Sequence, residues 1–218
     1  MRQKVVFALI VLALAGCGGG GGGGTTGTTT PTQTNFSVAQ YTSLNTGDTF
    51  TIPLTGTDTA GASYTGSIAA NVVGPVTFNG KSVIERDVLI NLTKTGVGVV
   101  LSTTEKGYYN SDRTLDEIVF SNGVTATPTS TFPMPTTVQV GSFGGQSLSY
   151  SNGNSLTSTW QVAAAGGGNV TVTVTSSTNL SVSEVDTINA NSSGNIVSIQ
   201  EVIYNFPTAG VTTTLTGS

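Results

Sequence analysis

Val170-Thr171-Val172-Thr173-Val174-Thr175 alternates apolar and hydroxyl side chains without a break. Successive side chains of an extended chain point to opposite faces, so this hexapeptide puts three valines on one side and three threonines on the other. A helix of the same residues would scatter the valines around its circumference. β-Branched side chains are also stiff at χ1 and suit a pleated, half-buried surface. The segment therefore predicts a strand with one buried face.

The same two-residue period recurs on either side of it. Phe50, Ile52 and Leu54 share a face, as do Tyr64, Ile68 and Val72, and Ile84, Val88, Ile90 and Leu92 line one side of 82–93. Residues 101–109, 114–120, 156–164 and 196–206 complete the predicted strands. Turn dipeptides separate them: Asn79-Gly80, Thr95-Gly96, Asn122-Gly123, Asn152-Gly153 and Ser193-Gly194. No stretch beyond the N-terminus keeps a helical period with capping residues. The expectation for 36–218 is one all-β, mostly antiparallel domain. Its sheet is single and strongly twisted or curved, half-barrel or sandwich-like, with a Pro-rich crossover near 127–136 that cannot be a central strand.

Two pairs of segments echo one another across that crossover. Tyr64-Thr-Gly-Ser-Ile-Ala-Ala matches Thr159-Trp-Gln-Val-Ala-Ala-Ala in aromatic, apolar and small-residue order, and the Asn-Ser turn at Asn110 matches the one at Asn191. The expectation is of two related halves, with insertions between the matched segments.

Composition excludes whole classes of chemistry. The 218 residues contain no His and a single Cys, Cys17. Imidazole bases, Ser-His-Asp or Cys-His nucleophiles, His-bound metals, intrachain disulfides and zinc clusters are therefore ruled out. Charged residues are 8% of the chain, whereas Thr alone supplies 39 residues. The formal net charge is −4, and clustered Lys and Arg are lacking, so no nucleic-acid partner is expected.

The N-terminus carries its own signal. Arg2 and Lys4 precede an apolar run from Val5 to Leu14, too short for the roughly 20 residues that a membrane-spanning helix needs. Leu14-Ala15-Gly16-Cys17 closes that run. It resembles the lipobox of bacterial lipoproteins. The resemblance implies a signal peptide over 1–16, cleavage before Cys17, a diacylglyceryl group on the Cys17 thiol and usually an acyl chain, such as palmitate, on the new amine. Gly18 rather than Asp follows Cys17, which in a Gram-negative host resembles the outer-membrane class. Seven glycines, Gly18 to Gly24, and a Thr-rich stretch then make 17–35 a tether.

A lipidated Cys, a polar tether, long β-hairpins and a Pro-rich crossover together resemble the curved-sheet envelope lipoproteins of the lipoprotein-carrier and lipoprotein-receptor type. Those half-barrels lay helices across the open mouth of the sheet, and no such helix is legible here. The functional expectation is a non-catalytic envelope lipoprotein, a structural or partner-binding module held to the membrane by its lipid anchor. The alternative is a half-barrel carrier for a hydrophobic ligand or lipid. No cofactor or catalytic residue is expected.

Three groups of side chains are candidate sites. Asp112, Asp116 and Glu117 form the densest acidic cluster, but Arg113 sits among them and the EF-hand order is missing, so a solvated hairpin tip is expected. Glu85 and Asp87 share one face of their strand at a spacing compatible with a glycosidase pair, and Arg86 shares the face of Ile84 and Val88. The expectation is a charged outer stripe, with Arg86 ion-paired or at the sheet rim. Trp160, Tyr108, Tyr109 and Tyr150 are the aromatics suited to ligand stacking, and core packing is expected for Trp160.

Overall fold

In the computed structural model of the chain, residues 35–38, 42–130, 133–179 and 182–218 are described. Strands dominate: β1 (Phe36–Ser37), β2 (Thr49–Asp58), β3 (Ser63–Phe78), β4 (Lys81–Lys94), β5 (Gly98–Tyr109), β6 (Leu115–Phe120), β7 (Thr125–Pro128), β8 (Thr137–Val138), β9 (Phe143–Tyr150), β10 (Ser155–Ala165), β11 (Asn169–Thr178), β12 (Ser183–Ala190), β13 (Ile196–Tyr204) and β14 (Thr212–Gly217). The all-β, antiparallel expectation holds, and each turn dipeptide named above connects two strands.

The sheet goes further than a half-barrel. Twelve strands form a closed barrel in the order β10-β11-β12-β13-β14-β2-β3-β4-β5-β6-β7-β9. The ring shuts where β14 meets β2, from Thr213↔Asp58 to Thr216↔Thr55. Closure pairs the two strands that would otherwise be edges. Four strands of the ring, β7, β9, β12 and β14, were not legible in the sequence, and Thr127 and Pro128, expected in a crossover, belong to β7, which pairs with β6 and with β9. The inner face of β12 begins with two carboxylates, and TTTLTG of β14 offers a single large apolar residue, Leu215.

Alternation along each strand decides what faces in. In β11, Val170, Val172 and Val174 are buried while Thr171, Thr173 and Thr175 lie on the outer face. The outer wall repeats that chemistry, with Thr51, Thr55 and Thr57 on β2 and Thr212, Thr214 and Thr216 on β14. Inside, two apolar clusters form. One draws on β2, β3, β4 and β10–β14, and the other on β5, β6, β7, β9 and Leu156 of β10. Every strand of the ring sends apolar side chains into one of them.

One end of the barrel is crossed by the chain itself. β1 pairs with β8, and Phe36, Val38 and Val138 are buried in the larger cluster. Thr42 Oγ1 donates to the Pro135 carbonyl at 2.8 Å, and Arg113 donates from Nε to Met134 O at 2.8 Å and from Nη2 to Thr42 O at 2.7 Å. Gly194, at φ +84°, lets the β12–β13 turn press against Ser37, because a Cβ there would lie 2.6 Å from that residue's Cβ.

The two sequence echoes fall at equivalent places in the ring. Tyr64 lies on the second strand of the run β2–β7, and Trp160 on the second strand of the run β9–β14. The Asn110 and Asn191 turns follow the fourth strand of each run.

Candidate functional site

Within the lumen, a polar layer lies between apolar residues of the same strands. β12 turns Glu184 and Asp186 inward in phase with Ile188 and Ala190, and β13 turns Glu201 inward between Ile199 and Ile203. The ladder sets Asp186 directly opposite Glu201. Directly opposed residues have Cβ atoms about 5 Å apart, and residues two apart on one strand face lie about 7 Å apart. Register alone thus brings three carboxylates to one spot, where one oxygen from each lies within 4.8 Å of the others.

The layer continues around the wall. Ser176 on β11 neighbours Glu184, Ser158 on β10 neighbours Ser176, and Gln146 on β9 neighbours Ser158. The two serine hydroxyls are 2.9 Å apart. Glu105 enters the lumen from β5, and Arg86 from β4. The Arg86 guanidinium lies over the Phe50 ring, 5.7 Å from its centroid.

These groups are sealed from solvent. Glu184 is 1% exposed, Asp186 0%, Glu201 6%, Glu105 1% and Arg86 2%. Both carboxylate oxygens of Glu184, Asp186 and Glu105 lack a hydrogen-bond donor among the described residues. Burial, then the Asp186 charge, pushes Glu184 well above the usual carboxylate range, and burial with the Glu201 charge does the same to Asp186. Glu201 is raised by burial and by Glu184. Glu105 is raised by burial against a smaller opposing pull from Arg86. Three abutting carboxylates cannot all remain ionised in an enclosed lumen without a counter-charge. They must share protons or hold a cation, and their donors are oxygens only, the set preferred by hard cations.

The groups weighed in the sequence are dispersed. Asp112 Oδ1 accepts from the backbone and hydroxyl of Thr114 at the tip of β5–β6, Asp116 pairs with Lys81 at 2.7 Å, and Glu117 accepts from Asn79. These acids make three separate contacts rather than one cage. Glu85 and Asp87 face outward as read, and Lys106 of β5 bridges them. Arg86 is at neither a rim nor the surface, since the inward phase of β4 carries it into the lumen. Trp160 is buried in the larger cluster. Tyr109 is buried, which pushes its phenol up to about 12, while Tyr108 stacks on Phe78 and Tyr150 on Phe120. Cys17 and the tether lie outside the described residues.

Glu105, Glu184, Asp186 and Glu201 were missed by sequence reasoning. The signal existed for Glu201, which sits in phase between Ile199 and Ile203. No protein-family model matches the chain, and neither a curated protein nor a solved structure matches it.

Proposed function

We propose that the chain is a non-catalytic, lipid-anchored envelope protein whose barrel is displayed on a tether and engages a partner through its loops. The observation that carries this reading is the distribution of chemistry across the barrel wall. Threonine and serine dominate the outer face of strands such as β2, β11 and β14, with Val97, Val99 and Phe143 among the exposed apolar exceptions, and apolar side chains from every strand of the ring enter the inside around the buried polar layer. A barrel immersed in lipid needs the reverse, an apolar outer band about 25 Å tall around a polar interior. Attachment then falls to the lipobox, where each buried CH2 of an acyl chain contributes about 0.8 kcal/mol.

The two apolar clusters weigh against the carrier alternative, because a hydrophobic cargo would have to displace side chains around Val172 and Ile118. Ring closure removes sheet edges as docking sites, which leaves the hairpin loops. On this reading the two runs of six strands are related halves of one barrel.

Expression of the full chain with its leader in a Gram-negative host, followed by mass spectrometry of the membrane fraction, tests the anchor. Acyl chains on Cys17 and release of Cys17→Ala into the soluble fraction are expected. A soluble mature protein beginning elsewhere overturns the anchor. A lipid retained through native mass spectrometry of the detergent-extracted protein, beyond the covalent acyl chains, reinstates the carrier.

A further inference from the structure

We infer that Glu184, Asp186 and Glu201 form a calcium site inside the barrel, with the cation bridging β12 and β13. The argument starts from geometry. Two oxygens bound to one Ca2+ at about 2.4 Å each are at most about 4.8 Å apart. One oxygen from each of the three residues lies within 4.8 Å of the others. The strand register therefore brings the three carboxylates within the distance range of ligands that share one ion.

The second observation is the state of the surrounding oxygens. Glu184 and Asp186 are enclosed by the barrel, and outside the contacts among the three carboxyls themselves none of their four oxygens has a hydrogen-bond partner among the described residues. Burying a charge is strongly unfavourable unless it is paired or bound to a metal. Glu105 is a third enclosed carboxylate whose oxygens lack a donor, and its charge acts on Glu184. Arg86 acts on Glu105, so the cation nearest in effect serves that residue rather than the triad. Ser176, the cross-strand neighbour of Glu184, adds a hydroxyl at the edge of the group.

Chemistry selects the ion. Carboxylates and hydroxyls are hard ligands, and neither His nor another Cys exists in the chain to favour zinc or copper. Mg2+ dehydrates reluctantly and usually keeps several waters, which a sealed protein cage accommodates poorly. Ca2+ takes six to eight oxygens in flexible geometry, and bidentate carboxylates supply many of them. A divalent ion also offsets most of the triad's formal negative charge, which Na+ would leave largely uncompensated. An organic cation is excluded by enclosure.

The test uses the purified full-length chain in detergent, stripped with a chelator and titrated near neutral pH with CaCl2 or MgCl2. Calorimetry and thermal unfolding are the readouts. One Ca2+ per chain is expected, with unfolding moved to higher temperature, and a much weaker response to Mg2+. Asp186→Asn should lower calcium affinity by at least ~100-fold, since loss of even an outer-shell partner costs metal sites about 10–100-fold. The same substitution should raise the melting temperature of the stripped protein by relieving repulsion, an outcome that loss of packing would not produce. Asp87→Asn, on the outer wall, should leave the calcium response unchanged. If Asp186→Asn does not fold, Glu201→Gln carries the same test. A stripped wild-type protein whose unfolding is indifferent to calcium overturns the inference, and so does an undiminished response in the triad variants. A response to Mg2+ equal to that to Ca2+ overturns the choice of ion.

Discussion

Tyr64 donates its hydroxyl to Asp58 Oδ2 across 2.7 Å beside the seam where β14 closes onto β2. The same carboxylate accepts from the backbone N–H groups of Ala60 and Ala62 and lies 3.2 Å from Lys94 Nζ. The Tyr64 hydrogen bond first, then the Ala62 amide and Lys94, hold Asp58 down to about 2 from an ordinary 3.8. A carboxyl depressed by folding contributes stability that is present above its unfolded value and is lost as pH falls through its folded value. The window is thus between about pH 4 and pH 2. Tyr64→Phe removes the largest cause, so its acid-unfolding midpoint should move to higher pH, as read by thermal unfolding across that range. An unchanged acid limb would show that the seam does not depend on this contact.

Arg86 and Glu105 are the buried charges of opposite sign on β4 and β5. Removing one partner of such a pair leaves an uncompensated charge, at about 3–5 kcal/mol, whereas replacing both with apolar residues is often neutral. Because no hydrogen bond joins Arg86 to Glu105 and burial favours the neutral carboxyl, Arg86→Met should destabilise by less than that, and Arg86→Met with Glu105→Leu should recover most of the loss. Denaturant titration of the two variants checks this.

Trp160 packs in the larger cluster, and its indole N–H has no acceptor among the described residues. An orphaned buried donor carries a penalty of about 1–3 kcal/mol, which Phe would remove while losing some volume. Trp160→Phe should change stability by less than about 1 kcal/mol, against about 3–5 kcal/mol for Trp160→Ala. Denaturant midpoints compared at equal m-values decide between the outcomes.

Gly66 marks a close approach of two strands. A Cβ there would lie 2.1 Å from the Asn91 carbonyl oxygen of the neighbouring strand, so backbone rather than a flexible side chain would have to give way. Gly66→Ala should destabilise by at least about 1–3 kcal/mol, the usual range for overpacking. The bridge from Lys106 to Glu85 and Asp87 is exposed enough that Lys106→Met should change stability by no more than about 1 kcal/mol, an effect that salt suppresses.

Strands were legible where a long apolar inner face alternated without interruption, which the short β7 and the Gly-rich β9 lack. Val170 to Thr175 announces its own geometry, as does the run through Ile84, Val88, Ile90 and Leu92. β12 was not, because Glu184 and Asp186 occupy inward positions that apolar residues would otherwise mark. Ring closure was illegible for a related reason. It depends on β14, a Thr-rich strand, finding β2 across almost the whole described chain, and local patterning carries no record of that pairing. The triad was hidden because its members become neighbours only through the register of β12 on β13. Arg86 was placed on its correct strand face, but whether that face lines a rim or a lumen depends on closure.

The β14–β2 pairing also bears on when the native state can first exist. A ribosome releases β2 long before β14, and until β14 emerges β2 lacks the partner that closes the ring. Non-local pairing of this kind delays folding until the separated segments meet. The barrel therefore cannot close before β14 has been synthesised. Loss of β14 alone would return the ring to an open sheet.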